Sequence, residues 1–258
     1  MENITTKATG PSSEKEFTEV VVSIEHLNKS FGSKHVLKDV NLKLYKGENL
    51  VILGKSGQGK SVLIKCMVGL IIPDKGKLEV LGQNMPDLNY KGLNAMRKQI
   101  GFLFQSGALY DSMSVRENLE FPLRNSDKET RAKSDELVKE ALANVNLSEA
   151  IDKMPSELSG GMRKRLGLAR TLILNPAIML YDEPTTGLDP ITSKEISELI
   201  LSTQEKYHTS SVIITHDMEC ARITANRVIV LKEGEFIAEG TFDELKNSDD
   251  DFIRSFFE

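Results

Sequence analysis

The chain has 258 residues and a formal net charge of −5 with both signs mixed, which suits one large α/β domain or a core with a subdomain and argues against a nucleic-acid binder. Its 40% hydrophobic content is enough for a sizeable core, yet no run approaches the roughly 18 consecutive apolar residues that a membrane-crossing helix needs. Cys66 and Cys220 are far apart, lack metal-ligand spacing and read as reduced structural thiols.

In chain order, Met1 to Glu19 is polar, contains Gly10-Pro11-Ser12-Ser13 and has no apolar core. It reads as a disordered tail rather than a secretory signal. Val20–Ile24 is a strand candidate, and Leu27 to Phe31 leads to Gly32. The planar ring of Phe31 can stack on a nucleotide base; a core phenylalanine is the plain alternative. Asn41–Leu44 alternates as a half-buried strand, Lys46-Gly47 turns, and Asn49–Leu53 is expected to return as a hairpin.

The next eight residues, Gly54-Lys55-Ser56-Gly57-Gln58-Gly59-Lys60-Ser61, fit the phosphate-loop pattern at every fixed position. A buried strand precedes them, and Val62, Leu63, Cys66, Met67 and Leu70 follow at helical spacing. Gly54, Gly57 and Gly59 let successive backbone N–H groups point inward at phosphate oxygens. The helix start adds the positive end of its dipole. Lys60 reaches the β- and γ-phosphates, and the Ser61 hydroxyl can ligate Mg²⁺. A glycine-rich turn with an incidental lysine is the alternative, and the strand–loop–helix context speaks against it.

Pro73-Asp74-Lys75-Gly76 reads as a turn, Leu78–Gly82 as a strand, Lys91–Lys98 as a helix and Ile100–Phe104 as a strand ending at Gln105. A glutamine there can coordinate Mg²⁺ or water and sense a γ-phosphate. From about residue 106 to 158 the pattern is helical, with Val115–Leu123 and Lys128–Val145 as helices. We read this as a helical subdomain inserted into a sheet domain. Leu109, Tyr110, Met113, Phe121 and Pro122 either line a groove for a partner helix or form the subdomain's own core.

Ser159 caps a helix running to about Leu174, and Gly160 and Gly161 leave its first N–H groups open to an anion. Arg163-Lys164-Arg165 reads as a solvated basic run. Ile178–Glu183 is a buried strand ending in two carboxylates, Asp182 suited to Mg²⁺ and Glu183 to general-base work. A loop holding Asp189 precedes a helix from Ile191 to Tyr207. Ser211–Thr215 is a strand ending at His216, placed to donate to a γ-phosphate. A hairpin turns at Glu233-Gly234, Thr241 opens a capping box, and the aromatic end packs on its own domain.

The phosphate loop, Gln105, Leu158-Ser159-Gly160-Gly161, Asp182-Glu183 and His216, in that order, resemble the nucleotide-binding subunit of ABC transporters from Val20 to about Gly240. The resemblance implies an α/β P-loop NTPase (RecA-like) core with an antiparallel β subdomain and an inserted α-helical subdomain. It implies ATP and Mg²⁺ as ligands, with Glu183, His216 and Lys60 catalytic and Ser61, Gln105 and Asp182 on the metal. Nucleotide contacts fall to Phe31, Gly54, Ser56, Gly57, Gln58, Gly59, Lys60, Ser61, Val62, Gln105, Ser159, Gly160, Gly161, Asp182 and Asp189. Phe31 matches the adenine-stacking aromatic, Ser159–Gly161 the signature that meets the ATP of an opposite subunit, and Asp189 the loop crossing that interface.

Within the family, residues 103–110 and 155–162 look like the Mla-type lipid-trafficking ATPases of bacteria. Met162 replaces the commonest glutamine and fits that subgroup; Val62 replaces a usual threonine. The resemblance implies an ATP-dependent homodimer, integral membrane permease subunits, a substrate-binding lipid carrier, no nucleic acid, and a peripheral place on the cytoplasmic face of the inner membrane. An importer ATPase for another solute is the alternative, and a soluble relative a third.

Overall fold

The computed structural model describes residues 17–257. The disordered-tail expectation for residues 1–16 lies outside the described residues. Glu19, placed in that tail, is tied down: its carbonyl accepts from Lys46 N at 2.8 Å and its carboxylate from Lys46 Nζ at 2.8 Å.

The elements run β1 (Val20–Phe31), β2 (Lys34–Tyr45), β3 (Asn49–Leu53), α1 (Lys60–Met67), β4 (Lys75–Val80), β5 (Gln83–Asn84), α2 (Tyr90–Arg97) and β6 (Ile100–Leu103). Three helices follow, α3 (Val115–Leu123), α4 (Lys128–Ala132) and α5 (Ser134–Asn144), and then α6 (Gly160–Leu172). The chain ends through β7 (Ile178–Asp182), α7 (Pro190–Tyr207), β8 (Ser210–Ile214), α8 (Met218–Thr224), β9 (Arg227–Lys232), β10 (Glu235–Gly240), α9 (Phe242–Lys246) and α10 (Asp251–Arg254).

Two sheets result. An antiparallel sheet has the order β2-β1-β4-β5, and a six-stranded sheet has the order β10-β9-β3-β8-β7-β6. In the larger sheet β3, β7 and β8 are buried at every residue, as parallel strands covered on both faces must be. Alternation then sends neighbouring side chains to opposite cores. Val51, Met179, Tyr181, Ile213 and Val230 join α3, α5, α6 and α7 on one face. Leu50, Ile52, Leu180, Val212 and Leu231 join α1 and the smaller sheet on the other.

The structure corrects three expectations. Strands β2 and β3 form no hairpin. Strand β2 pairs with β1, whereas β3 runs parallel to β8 and β9 in the other sheet. The crossing between them is pinned by Glu48, 1% exposed, which accepts from Arg227 Nε at 2.7 Å, Arg227 Nη2 at 3.0 Å and Tyr45 N at 2.9 Å. The helix expected over Lys128–Val145 is two helices, because α4 ends at Ala132 and Lys133, at φ −96° and ψ 12°, leaves the helical conformation before α5 starts at Ser134. The basic run 163–165 is not solvated throughout: Lys164 is 7% exposed, and Arg165 Nη2 donates to Glu195 at 2.9 Å.

The inserted helices are anchored by Asn118, which is fully buried on α3. Its Oδ1 accepts from Tyr110 N at 2.9 Å, and its Nδ2 donates to the carbonyls of Tyr110, Met113 and Ser114 at 3.0–3.1 Å. The aromatic end packs on its own domain as expected, with Phe252 against Phe256 and Phe242 against Phe257.

Removing one partner of a buried, hydrogen-bonded ion pair leaves an uncompensated charge. Arg227→Met strands the Glu48 carboxylate, so urea unfolding should show a loss of about 3–5 kcal/mol. A loss below about 1 kcal/mol would mean that the crossing between the sheets does not depend on this pair.

Candidate functional site

The carboxyl ends of β3, β8, β7 and β6 lie side by side, and each carries a polar residue the sequence singled out. The phosphate loop follows β3, His216 follows β8, Glu183 follows β7 and Gln105 follows β6. Open α/β sheets bind ligands outside the carboxyl ends of their strands. Here a cleft of about 680 Å³ opens at that place. It is lined by Phe31, Lys34, Val36, Lys55, Ser56, Gly57, Gly59, Lys60, Ser61, Val62, Gln105, Glu183, Thr186 and His216.

The loop needs its glycines for two different reasons. Gly57 and Gly59 have φ of 78° and 106°, the left-handed region that other residues resist. At Gly54 and Gly59 a Cβ would also lie 2.5 Å from Leu231 O and 2.7 Å from Val36 O. The loop is therefore wedged between β9 and β2. Gly59 is the N-cap of α1 and supplies no side-chain acceptor, so the first amides of α1 are left to whatever approaches from the cleft.

Lys60 is 6% exposed. Its Nζ donates to Gly54 O at 2.5 Å and to Lys55 O at 3.2 Å, and lies 3.8 Å from Glu183 Oε1. Burial pushes its ammonium below the ordinary lysine value, and the Glu183 and Asp182 carboxylates oppose that shift. Ser61 Oγ donates to Asp182 Oδ1 at 2.9 Å. Asp182 stands behind Ser61 rather than on the cleft wall.

Glu183 sits at φ 53°, a left-handed conformation that is costly for a residue with a side chain. The surroundings hold it there. Its N donates to Ile214 O at 2.8 Å, and its carbonyl accepts from Thr186 N and Lys164 Nζ, both at 3.3 Å. Its Oε2 lies 2.7 Å from His216 Nδ1 and accepts from His216 N and Thr186 Oγ1, each at 3.3 Å. The carboxylate is thus aimed into the cleft by a histidine and a threonine from two different loops.

Several predicted residues lie elsewhere. The Gln58 side chain turns away from the cleft: its Oε1 accepts from Glu233 N, so only its backbone belongs to the phosphate loop. Ser159, Gly160, Gly161 and Asp189 do not line the cleft. Ser159 caps α6, accepting from Met162 N at 3.3 Å. Asp189 caps α7, accepting from Ile191 N, Thr192 N and Thr192 Oγ1. A Cβ on Gly161 would meet Thr192 Cγ2 at 2.5 Å, so the two helix starts abut and present one composite surface. The core alternative for Phe31 does not hold, since its ring is 50% exposed. Tyr110 is 42% exposed and packs on Phe121 at 4.6 Å between ring centroids; Leu109 packs against the core.

Lys164 is the residue that the sequence reading missed. Its Nζ donates to Gln105 O and to Glu183 O, bridging two walls of the cleft from α6. Burial lowers its pKa, against the opposing pull of Glu183 and Asp182. Only its place four residues into a helix among Leu166, Leu168 and Ala169 hinted at burial.

Comparison with known proteins fits this geometry. The family model described as ABC transporter matches residues 37–186. The chain is 39% identical over 92% of its length to a probable ribonucleotide transport ATP-binding protein, mkl, of Mycobacterium tuberculosis, and spans 66% of that relative's length. It is 35% identical to the intermembrane phospholipid transport system ATP-binding protein MlaF of Haemophilus influenzae, over 89% of this chain and 87% of the relative. Other relatives, at 37% and 35% identity, are named for general L-amino acid transport and methionine import. Among solved structures, cbiO1 of Clostridium perfringens, part of the ABC transporter complex cbiONQ, superposes with a TM-score of 0.81 at 29% identity, covering 88% of this chain and 90% of that one. The ATP-binding cassette MJ0796, a dimer in a post-hydrolysis state bound to ADP and Pi, superposes with a TM-score of 0.77 at 32% identity, covering 86% and 98%. The matched stretch takes in more than half of the chain, from β2 through the phosphate loop to the two acids at the end of β7, and on that ground the chain belongs to the ABC transporter family.

Proposed function

We propose that the chain is the ATP-hydrolysing subunit of a membrane ABC transporter and acts as an ATP-dependent dimer. One observation carries the reading: Lys60, Glu183 and His216 converge on the wall of a cleft whose floor is a phosphate loop. Phosphoryl transfer is mostly positioning and charge stabilisation, and these groups supply both. Lys60 and the loop amides hold the phosphates. Glu183 takes the proton of the attacking water, and His216 orients that carboxylate. Gln105, exposed at the end of β6, faces the γ-phosphate side, and Phe31 stacks on the base.

The residues also fit Mg²⁺. The Ser61 hydroxyl and the Asp182 carboxylate already converge beside the loop, with Gln105 a third oxygen donor nearby. Among the described residues no three His, Cys, Asp or Glu side chains form a metal group. Mg²⁺ is commonly held by one or two carboxylates together with substrate phosphates. When bound, Mg²⁺ neutralises charge on the phosphates.

Among the described residues no helix is long and apolar enough to cross a membrane. In the proposed transporter, force passes through a protein contact with permease subunits. We place the chain on the cytoplasmic face of the inner membrane. Phospholipid moved between membranes, with a lipid-carrier subunit, is our choice of substrate system, supported by Met162 after the α6 start and the MlaF match. The relatives named for ribonucleotide transport, amino-acid transport and methionine import favour a second reading, import of another solute.

Glu183→Gln removes the proton acceptor and keeps the shape. Steady-state turnover should fall about 10²–10⁴-fold while ATP binding persists; wild-type turnover would reject the base assignment. Lys60→Ala should lose ATP use altogether.

The composite surface of Ser159–Gly161 and Asp189 is not part of the lining of its own cleft, which suits head-to-tail pairing with a second copy's ATP. Light scattering should show a Glu183→Gln monomer that dimerises on adding ATP, and Ser159→Arg should block it. An ATP-independent mass in both would reject the dimer.

Tyr110→Ala with Met113→Ala should leave the melting temperature and ATP binding of the purified subunit intact but lose copurification with the permease. Lipid extracted with the wild-type complex separates the two substrate systems. An undisturbed complex would move the permease contact away from Tyr110.

A further inference from the structure

Asp74 lies outside the cleft, on the turn after α1, and has no role in the chemistry described above. The turn presses on β1. Gly76 has φ 96°, and a Cβ there would lie 2.4 Å from His26 O. That approach brings Asp74 against the end of β1. Its Oδ1 accepts from Lys29 Nζ at 2.8 Å, its Oδ2 from Ser30 N at 2.6 Å, and its own N donates to Asn28 O at 2.8 Å.

These three partners run directly into Phe31, and the ladder is irregular there. The register of β1 against β2 shifts between Leu27 and Lys29 and again between Lys29 and Ser30. A bulge leaves a residue unpaired, interrupts the ladder and bends its strand. Asp74 supplies the missing acceptor for Ser30 N. It also fixes Lys29, whose side chain is 15% exposed and whose Nζ lies 5.3 Å from the Phe31 ring centroid. On the other side Ser30 Oγ lies 2.9 Å from His35 Nδ1.

We propose that Asp74 is a positioning residue for the nucleotide base: it locks the bulged end of β1 so that the exposed Phe31 ring stands ready to stack at the mouth of the cleft. The inference rests on the ATP-binding reading above. A ring already held in place loses little freedom on binding, whereas a loose one must be ordered at the expense of affinity. The Lys29 ammonium and the Ser30 amide hold the Asp74 carboxyl below the usual carboxylate range, so the lock is charged at neutral pH.

The test compares Mg²⁺-ATP with Mg²⁺-tripolyphosphate, which has the phosphates and no base. Asp74→Ala should raise KM and Kd for ATP about 3- to 20-fold, leave kcat within about twofold, and leave the Kd for tripolyphosphate unchanged. Lys29→Met should do the same, which keeps the test alive if Asp74→Ala folds poorly. In a Phe31→Ala background Asp74→Ala should add nothing, as expected of two residues acting through one contact. The proposal is overturned by an unchanged KM for ATP, by equal weakening of both ligands, or by additive effects of the Asp74 and Phe31 substitutions. A wild-type protein that binds neither ligand overturns the ATP reading and this one together. A wild-type protein that binds both, with Asp74→Ala matching it, overturns this one alone.

Discussion

A triphosphate can be held only where many donors point at one spot and cannot relax away from it. That constraint shapes the whole chain. The donors are backbone amides of a loop, and a loop is rigid only if something clamps it. Here β9 clamps it at Gly54 through Leu231 O, and β2 clamps it at Gly59 through Val36 O. One clamp comes from each sheet. The smaller antiparallel sheet is therefore part of the site's rigidity and not merely an attached subdomain. The strand order completes the arrangement. With β3, β8, β7 and β6 adjacent and parallel, residues as far apart in the chain as Lys60 and His216 reach one wall.

The charges of the site balance as a group. Lys60 and Lys164 are both buried, and burial disfavours both ammonium groups. Asp182 and Glu183 offset that cost. Each lysine also donates to backbone carbonyls, so neither depends on a single carboxylate. A carboxylate at strained φ, held by carbonyl, amide, histidine and threonine contacts together, is a group whose direction is fixed before anything binds. Preorganised groups of this kind cost no reorganisation at the moment of reaction.

What was legible in the sequence was what is local. The phosphate loop lies between a strand and a helix, and the caps Ser159, Asp189 and Thr241 are read within three residues of their partners. The acids and the histidine sit at the ends of apolar runs long enough to be buried strands. What was not legible depends on distant pairing. Alternation in Asn41–Leu44 says that one face is buried, not which sheet buries it, so the sequence suggests a β2–β3 hairpin where the structure puts the two strands in different sheets. Arg163-Lys164-Arg165 looks like any solvated run until α6 is laid beside β6 and β7. Gln58 belongs to a motif, yet its side chain answers to Glu233, 175 residues away. Asp74 reads as a turn former because its partners lie 44 and 45 residues before it.

Helix α6 gives the distant pieces a common logic. It begins after Ser159 with open amides that are not part of the cleft lining, and five residues later Lys164 reaches the carbonyls of two residues that are. Five residues of helix is about 7.5 Å. The start of α6 abuts the start of α7 through Gly161 and Thr192, and Arg165 ties the two helices again at Glu195. An anion meeting the start of α6 therefore bears on a short rigid strut whose other end holds the Gln105 and Glu183 carbonyls. In the proposed dimer that anion is the γ-phosphate of the second copy. The base of one site would then be set by the nucleotide of the other through a single turn and a half of helix.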